Sequence, residues 1–325
     1  MKRRETLAVL CSACLLGVPV HGTAQVTGRV RKIGSLGFGT ELTAAEIKNL
    51  WAPARDLGWI EGENLIVERR RTTRAELLQP YAEELVRLNV ELIITVGTPA
   101  TLAAKKATTR IPIVMYSAGD PVAAGLVASL SKPGGNVTGY SSLSSALFVK
   151  TMSLLHEILP HVQRAGLLIN RHNSYSRMQA QESENTFGAL GIRSIVVEVA
   201  SPDEIDNAIA AVARQGAQAL YVTSDTGILV PALVIRSAIK HRLPAVAENR
   251  EYSEAGALAS LSPDESEQNR IMAYFVDKIL RGANPADLPV QQPTKFLLSI
   301  NAKTAKALGL TIPPRVLQRA DEVIE

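Results

Sequence analysis

The chain has 325 residues and a formal net charge of +4, because its 35 lysine and arginine residues nearly balance its 31 aspartate and glutamate residues. This balance, without a basic block interleaved with aromatic residues, argues against nucleic-acid binding. The chain is also long enough for about two domains, each with its own apolar core.

The N-terminal residues have the pattern of an export signal. A basic segment at 2–4 precedes an apolar run over 7–20, and Gly22 and Ala24 form a small-x-small cleavage site. The apolar run is shorter than the roughly 20 residues that a membrane-spanning helix needs. We therefore predict that residues 1–24 are a signal peptide, cleaved after Ala24, and that the mature protein is periplasmic.

The cysteine and histidine residues do not form a catalytic or metal-binding pattern. Cys11 and Cys14 lie in the predicted signal, so the mature chain should have no disulfide, thiolate metal site or cysteine nucleophile. The histidines outside the signal lack metal-ligand spacing, and the sequence contains no P-loop, hydrolase elbow or zinc-protease motif. We therefore expect no catalytic residue, no metal and no cofactor.

Strand and helix patterns alternate along the first part of the chain. Segments 29–34, 90–96 and 111–115 are predicted strands, and each leads into a turn that contains glycine. Thr43 and Glu46 have the spacing of a capping box at the start of a helix. Other predicted elements are an outer strand over 65–71 and helices over 43–57, 75–88 and from Pro121 to a break at 132–136.

The same alternation continues after a crossing near Gly139–Tyr140. Predicted strands are 165–169, 194–199, 219–223 and 244–247, each followed by a helix or a loop, and then a strand over 256–261 and a helix over 265–281. The pattern predicts an α/β fold of two Rossmann-like lobes with parallel-sheet cores, joined by a multi-strand hinge. The predicted lobes are 29–138 plus 251–286 and 139–250 plus 287–325, with further crossings at Asn249–Arg250 and 289–293.

Several runs of residues, in order, carry a family resemblance. They are 57–64, 111–114, 119–121, 125–130 and 132–139 in the first half, and 278–282, 285–289 and 301–314 near the C-terminus. These runs resemble the bacterial ABC-transporter substrate-binding family that includes tryptophan-binding TrpX-like proteins. The resemblance implies a type I periplasmic binding-protein fold, closure of two lobes on a small solute, and delivery to an inner-membrane permease with a separate ATPase.

Polar residues at predicted strand ends are the candidate ligand-binding residues, since ligands of open α/β sheets bind there. Thr98 and Ser117, with nearby backbone N–H groups, are candidates for holding a ligand carboxylate. Asp225 is the first candidate acceptor for a ligand ammonium, followed by Glu248 and Asp120. For Thr98 and Asp225 the alternative is an ordinary helix cap, and for Glu248 and Asp120 a solvated turn.

Aromatic residues at strand ends are candidates for the walls of the same site. Phe38 and Tyr116 would form an apolar or stacking wall, and Tyr140 and Tyr175 would cover it, although each ring alone fits core packing as well. Two further candidates, chosen by position alone, are Ser35 and Asn170.

The sequence therefore predicts an exported, monomeric solute-binding protein without catalytic activity. An amino acid or related carboxylate is the ligand class that the resemblance implies. Two alternatives remain open at this point: a ligand sensor that presents its bound form to a receptor, and an enzyme built on the same scaffold.

Overall fold

The described part of the chain alternates between strands and helices. A computed structural model describes residues 29–325 except 143, 224 and 226, so the predicted signal peptide lies outside the described residues. The strands are β1 (Arg31–Phe38), β2 (Leu65–Thr72), β3 (Ile93–Val96), β4 (Ile113–Ala118), β5 (Val137–Ser141), β6 (Arg164–Asn170), β7 (Arg193–Val199), β8 (Ala219–Val222), β9 (Ala245–Ala247), β10 (Ala259–Pro263), β11 (Phe296–Asn301) and β12 (Glu322–Ile324). The helices are α1 (Ala44–Asp56), α2 (Leu78–Arg87), α3 (Thr98–Ala107), α4 (Ser144–Ile158), α5 (Ser174–Ala189), α6 (Ile205–Arg214), α7 (Pro231–Lys240), α8 (Arg250–Glu254), α9 (Glu265–Leu280), α10 (Ala302–Ala307) and α11 (Pro314–Leu317).

The strands form two sheets, which confirms the predicted fold class. The first sheet has the order β2-β1-β3-β4-β5, and the second has the order β12-β11-β10-β9-β8-β6-β7. All pairs are parallel except β10 with β11, which is antiparallel. In both sheets the inner parallel strands follow the order of a doubly wound fold, which leaves a ligand-binding crevice at their carboxyl ends.

Helices cover both faces of the first sheet, and this explains its sequence pattern. Leu36 and Ile93 pack towards α2 and α3, whereas Ile33 and Ile94 pack with Trp51 and other residues of the opposite face. A parallel strand covered on both faces is buried throughout, as every residue of β3 is. We refer to this sheet with its covering helices as the first lobe, and to the second sheet with its helices as the second lobe.

The helix predicted after Pro121 is not formed. Asp120 Oδ1 accepts hydrogen bonds from the N–H groups of Val122 (3.0 Å) and Ala123 (2.9 Å), which stabilises a single turn. The carbonyl of Pro121 then accepts from Leu126 and Val127, which closes the turn, and the chain continues without helix to β5. Asp120 therefore has the turn-stabilising role that the sequence left open, because an aspartate competes well for nearby backbone N–H groups.

Three segments connect the lobes. The chain passes from β5 to α4, from β10 to α9 across Pro263–Asp264, and from the region of Leu288 to β11. The third segment pairs with the end of the first sheet next to the first segment. The N–H of Gln291 donates to the carbonyl of Gly139 (2.9 Å), and the carbonyl of Gln291 accepts from the N–H of Ser141 (2.9 Å). The hinge thus contains paired extended segments.

Two details of the predicted hinge are wrong. Asn249–Arg250 is not a crossing, because β9 and β10 lie in the same sheet and Asn249 caps α8. The strand predicted over 256–261 was placed in the first lobe, but β10 pairs with β9 and β11 in the second sheet. The chain returns to the first lobe only after Pro263, since α9 packs against α1 and β4. The other predicted lobe boundaries stay a prediction.

We predict that Gly139→Ala destabilises the protein through its position beside the hinge. Gly139 has φ of +129°, and an added methyl carbon would lie 2.3 Å from the carbonyl oxygen of Met115. Backbone cannot move aside as a side chain can, so urea unfolding should show a loss of about 2–3 kcal/mol. Gly135→Ala is the matched control, because an added methyl there contacts nothing within 4 Å. Equal stability of the two variants would contradict the prediction.

Candidate ligand site between the two sheets

The carboxyl ends of the two sheets face each other and are in contact. The ring of Phe38, at the end of β1, lies over Gly227, where an added methyl carbon would be 2.3 Å from the ring. The ring of Tyr175, at the start of α5, lies over Gly119 with the same 2.3 Å spacing. Strand-end residues of both lobes are therefore brought together, with Phe38 and Tyr175 at the contacts between them.

Asp225 lies in a buried loop after β8 and accepts several hydrogen bonds. Its Oδ1 accepts from the backbone N–H groups of Gly227 (2.9 Å) and Ile228 (3.1 Å). Its Oδ2 accepts from the side-chain amides of Asn170 (3.0 Å) and Asn173 (2.8 Å). A carboxylate held by so many N–H donors organises the loops at the ends of β6 and β8. Its predicted role as an ammonium acceptor stays a prediction, and the geometry favours the structural alternative.

Glu248 is buried at the end of β9, only 1% exposed, in a polar network of the second lobe. Its Oε1 accepts from the hydroxyl of Tyr221 and from the side-chain amide of Gln179 (2.9 Å). Burial raises the pKa of Tyr221 well above its ordinary value, and the negative charge of Glu248 raises it further. The tyrosine hydroxyl therefore stays protonated and donates to the carboxylate.

Thr98 holds a loop of the first lobe in place. Its Oγ1 accepts from the N–H of Gly119 (3.1 Å), and Ser141 Oγ donates to the carbonyl of that same glycine (3.0 Å). Thr98 is itself the first residue of α3, so the predicted cap is shifted by one residue to Gly97. The carbonyl of Ser117 accepts from Gly97 (2.8 Å), which places both predicted carboxylate-binding residues at the start of α3.

The other predicted site residues are engaged within the first lobe. The Tyr116 hydroxyl donates to Asn269 Oδ1 (2.8 Å) on α9, and Tyr140 is fully buried in β5. Burial raises the pKa of both hydroxyls. Ser35 lies three residues before the end of β1, and the Asp120 carboxylate is used in its own turn. The structure thus favours core packing for the two tyrosines.

Sequence reasoning missed the polar face of α5. Ser176, Gln179 and Ser183 are completely buried, although α5 carries polar residues on most of its surface. Their spacing of three and four residues places them on one helix face. The sequence does contain polar residues at helical spacing on the face of α5 that is buried. The exposed faces of α5 are polar as well, so the sequence alone does not distinguish the buried face.

Charged residues from both lobes approach each other at the rim of the crevice. Loss of water contact raises the pKa of Glu251 on α8, the carboxylates of Glu46 and Glu265 raise it further, and Arg71 lowers it. Glu46 and Arg71 belong to elements of the first lobe, whereas Glu251 belongs to the second. Their mutual influence is a further sign that the two strand-end surfaces lie close together.

The described residues do not contain a metal-binding arrangement or a membrane span. No group of three or more histidine, cysteine, aspartate or glutamate side chains is placed to hold a metal ion in the part of the chain that the structure covers. None of the described helices is both long and apolar enough to cross a membrane. The arrangement can bind a small polar molecule through hydrogen bonds and ring contacts.

Comparison with known proteins identifies similar sequences. The model of the ABC transporter substrate binding protein family matches residues 54–324. A protein named tyrosine-binding protein, from Clostridioides difficile strain R20291, is 28% identical over 258 residues, which is 78% of this chain and 74% of that protein.

Solved structures show the same architecture. A conserved domain protein from Vibrio cholerae superposes with a TM-score of 0.85 at 29% identity, covering 91% of this chain and 100% of the other. An ABC domain from Streptococcus pneumoniae in complex with L-Trp gives a TM-score of 0.83 at 27% identity, covering 90% and 99%. The ligand-free, open structure of a substrate-binding protein with adhesive properties from Clostridium difficile gives 0.63 at 26% identity, covering 91% and 99%.

We predict that Asp225→Asn destabilises the protein even without ligand. The new NH₂ group would face N–H donors that now point to a carboxylate oxygen, so urea unfolding of the unliganded protein should show a loss of about 2–3 kcal/mol. The exposed Asp203→Asn is the control for loss of one negative charge. If both variants have the stability of the original protein, Asp225 does not organise these loops.

Proposed function

This chain belongs to the ABC transporter substrate-binding protein family, and from that premise we propose that the solute it captures is an amino acid. The family membership covers most of the chain and gives the role of binding a solute for an ABC importer. The amino-acid class is supported by the relatives, one named for tyrosine and one solved with L-Trp.

The observation that carries capture of a solute between the lobes is their closed arrangement. The TM-score is 0.83 against the L-Trp complex but 0.63 against the open, ligand-free structure, although the identities of 27% and 26% are nearly equal. The contacts of Phe38 with Gly227 and of Tyr175 with Gly119 agree with a closed arrangement, since a hinge opening would separate them. We infer that the structure has the lobe arrangement of a bound state.

The ends of the two sheets have the chemistry that a zwitterion requires. The start of α3 offers backbone N–H groups that have no partner within the helix, next to Thr98 and Ser117. These groups suit a carboxylate. The second lobe contributes acceptors, among them Glu248, which suit an ammonium. The rings of Phe38 and Tyr175 would contact the side chain of the amino acid.

The remaining parts of the proposal concern partners and location. The solute-loaded protein would deliver its ligand to an inner-membrane permease with a separate ATPase, as a monomer in the periplasm after removal of residues 1–24. Binding without catalysis is proposed because the hydrogen-bond donors and acceptors at the strand ends hold groups in place, and the acids among them are engaged by N–H or O–H donors.

A thermal-shift screen of the mature protein tests the amino-acid class. A ligand at about 100 times its dissociation constant adds about 2.7 kcal/mol of stability, which should raise Tm by roughly 5 °C. We expect such a shift with at least one amino acid, aromatic ones first, and none with sugars of equal concentration. Flat melting curves for all amino acids would overturn the proposal.

We predict that Gly227→Ala weakens binding by opposing closure. The added methyl would clash with the Phe38 ring only when the lobes are together, so the Kd of the amino acid found in the screen should rise about tenfold or more. Gly188→Ala, on the exposed side of α5, adds a methyl without a contact within 4 Å and should leave Kd unchanged. Calorimetric titration measures both, and equal affinities would show that this contact does not form on binding.

A further inference from the structure

We propose that the ammonium of the bound amino acid is received by the amide oxygen of Gln179 and the hydroxyl of Ser176, with the Glu248 carboxylate behind them, and not by Asp225. This inference rests on the proposed function, because it assigns the ligand's positive group to named residues. It concerns the polar face of α5.

The amide orientation of Gln179 follows from its neighbour. Glu248 as a carboxylate only accepts hydrogen bonds, so Gln179 has to present its NH₂ group to it, at 2.9 Å. The amide oxygen therefore faces another direction. That oxygen, Oε1, has no hydrogen-bond partner among the described residues, although the side chain is completely buried.

Ser176 presents a second acceptor on the same helix face. Its hydroxyl is also buried and also lacks a partner within the described part of the chain. Ser176 precedes Gln179 by three residues, which places the two side chains about 5–6 Å apart at their Cβ atoms. Buried polar atoms are seldom left without a partner, since each costs about 1–3 kcal/mol. Two such atoms side by side indicate a place for a donor that the protein itself does not supply.

The start of α5 lies where a ligand between the lobes would be. Tyr175, the residue next to Ser176, touches Gly119 of the first lobe, and α5 is in contact with α3. The start of α3 is the proposed carboxylate position. An amino acid between the two helices would thus place its carboxylate towards the first lobe and its ammonium towards the second.

The acceptors suit an ammonium in their chemistry and in the charge beside them. An ammonium has three N–H donors and a full positive charge. Gln179 Oε1 and Ser176 Oγ take two of the donors, and Glu248 provides the negative charge one contact away. Asp225 is a poorer candidate, because Asn170, Asn173, Gly227 and Ile228 already direct N–H groups at both of its oxygens.

The test compares amino acids with analogues that lack only the ammonium. The probes are L-tryptophan and indolepropionate, and L-tyrosine and hydroxyphenylpropionate, titrated calorimetrically into the mature protein. The variants are Gln179→Met, which keeps the side-chain length, and Ser176→Ala. We expect each variant to raise the Kd of the amino acid about tenfold or more while the Kd of the deaminated analogue stays the same.

Ser183→Ala is the matched control on the same buried stripe. Ser183 Oγ already bonds to the carbonyl of Ala180 (2.7 Å) and to Ser194 Oγ (3.0 Å), so its loss should leave the difference between amino acid and analogue unchanged. Urea unfolding of all variants without ligand separates a general loss of stability from a change in binding.

The outcomes separate this inference from the proposed function. Suppose that the original protein binds the amino acids. The inference is overturned if the variants lose affinity equally for the amino acid and its deaminated analogue, and also if they lose affinity for neither, because the ammonium then lies elsewhere. An Asp225 variant that alone removes the preference for the amino acid would overturn it too. If the original protein binds no amino acid, the proposed function fails, and this assignment fails with it.

Discussion

The close approach of the two lobes depends on two positions without a side chain. Gly119 in the first lobe and Gly227 in the second lie directly under the rings of Tyr175 and Phe38. Any β-carbon at either glycine would meet a ring far inside van der Waals distance, so the strand ends could not come together. The proposed enclosure of a solute requires this contact, because the donors of one lobe and the acceptors of the other hold the same molecule only when both are near.

The hinge joins the two lobes through extended segments that lie side by side. Three segments pass between the lobes, and the pairing of Gln291 with β5 joins two of them into one short ladder. Paired extended segments bend by small changes in several dihedral angles and keep their hydrogen bonds while doing so. Opening at such a hinge would separate the rings of Phe38 and Tyr175 from Gly227 and Gly119.

Buried polar residues of the second lobe divide into two kinds. Asp225 accepts from backbone and amide N–H groups on both oxygens, so its charge is used to hold the loops after β6 and β8. Gln179 Oε1 and Ser176 Oγ have no donor within the described part of the chain, and the Gln179 amide bonds to Glu248. Residues of the first kind, such as Asp225, hold the loops of the site in place. Residues of the second kind, such as Gln179 and Ser176, have acceptors that suit a hydrogen bond to a ligand. An aspartate at a strand end does not by itself indicate which kind it is.

The sequence determined the local elements and the family, and the tertiary structure decided which residues meet. The alternation of buried strands with helices, the capping box of α1 and the ordered motifs are local signals, so they identified the α/β lobes. The position of β10 in the second sheet was not predictable, because either lobe could bury an apolar strand. Likewise, the role of Asp225 depends on N–H donors up to 55 residues away in the chain. The polar face of α5 can be interpreted as a binding surface only once Gln179 is seen to bond to Glu248. Those pairings join residues that are distant in the chain, so they cannot be predicted from composition or from local spacing.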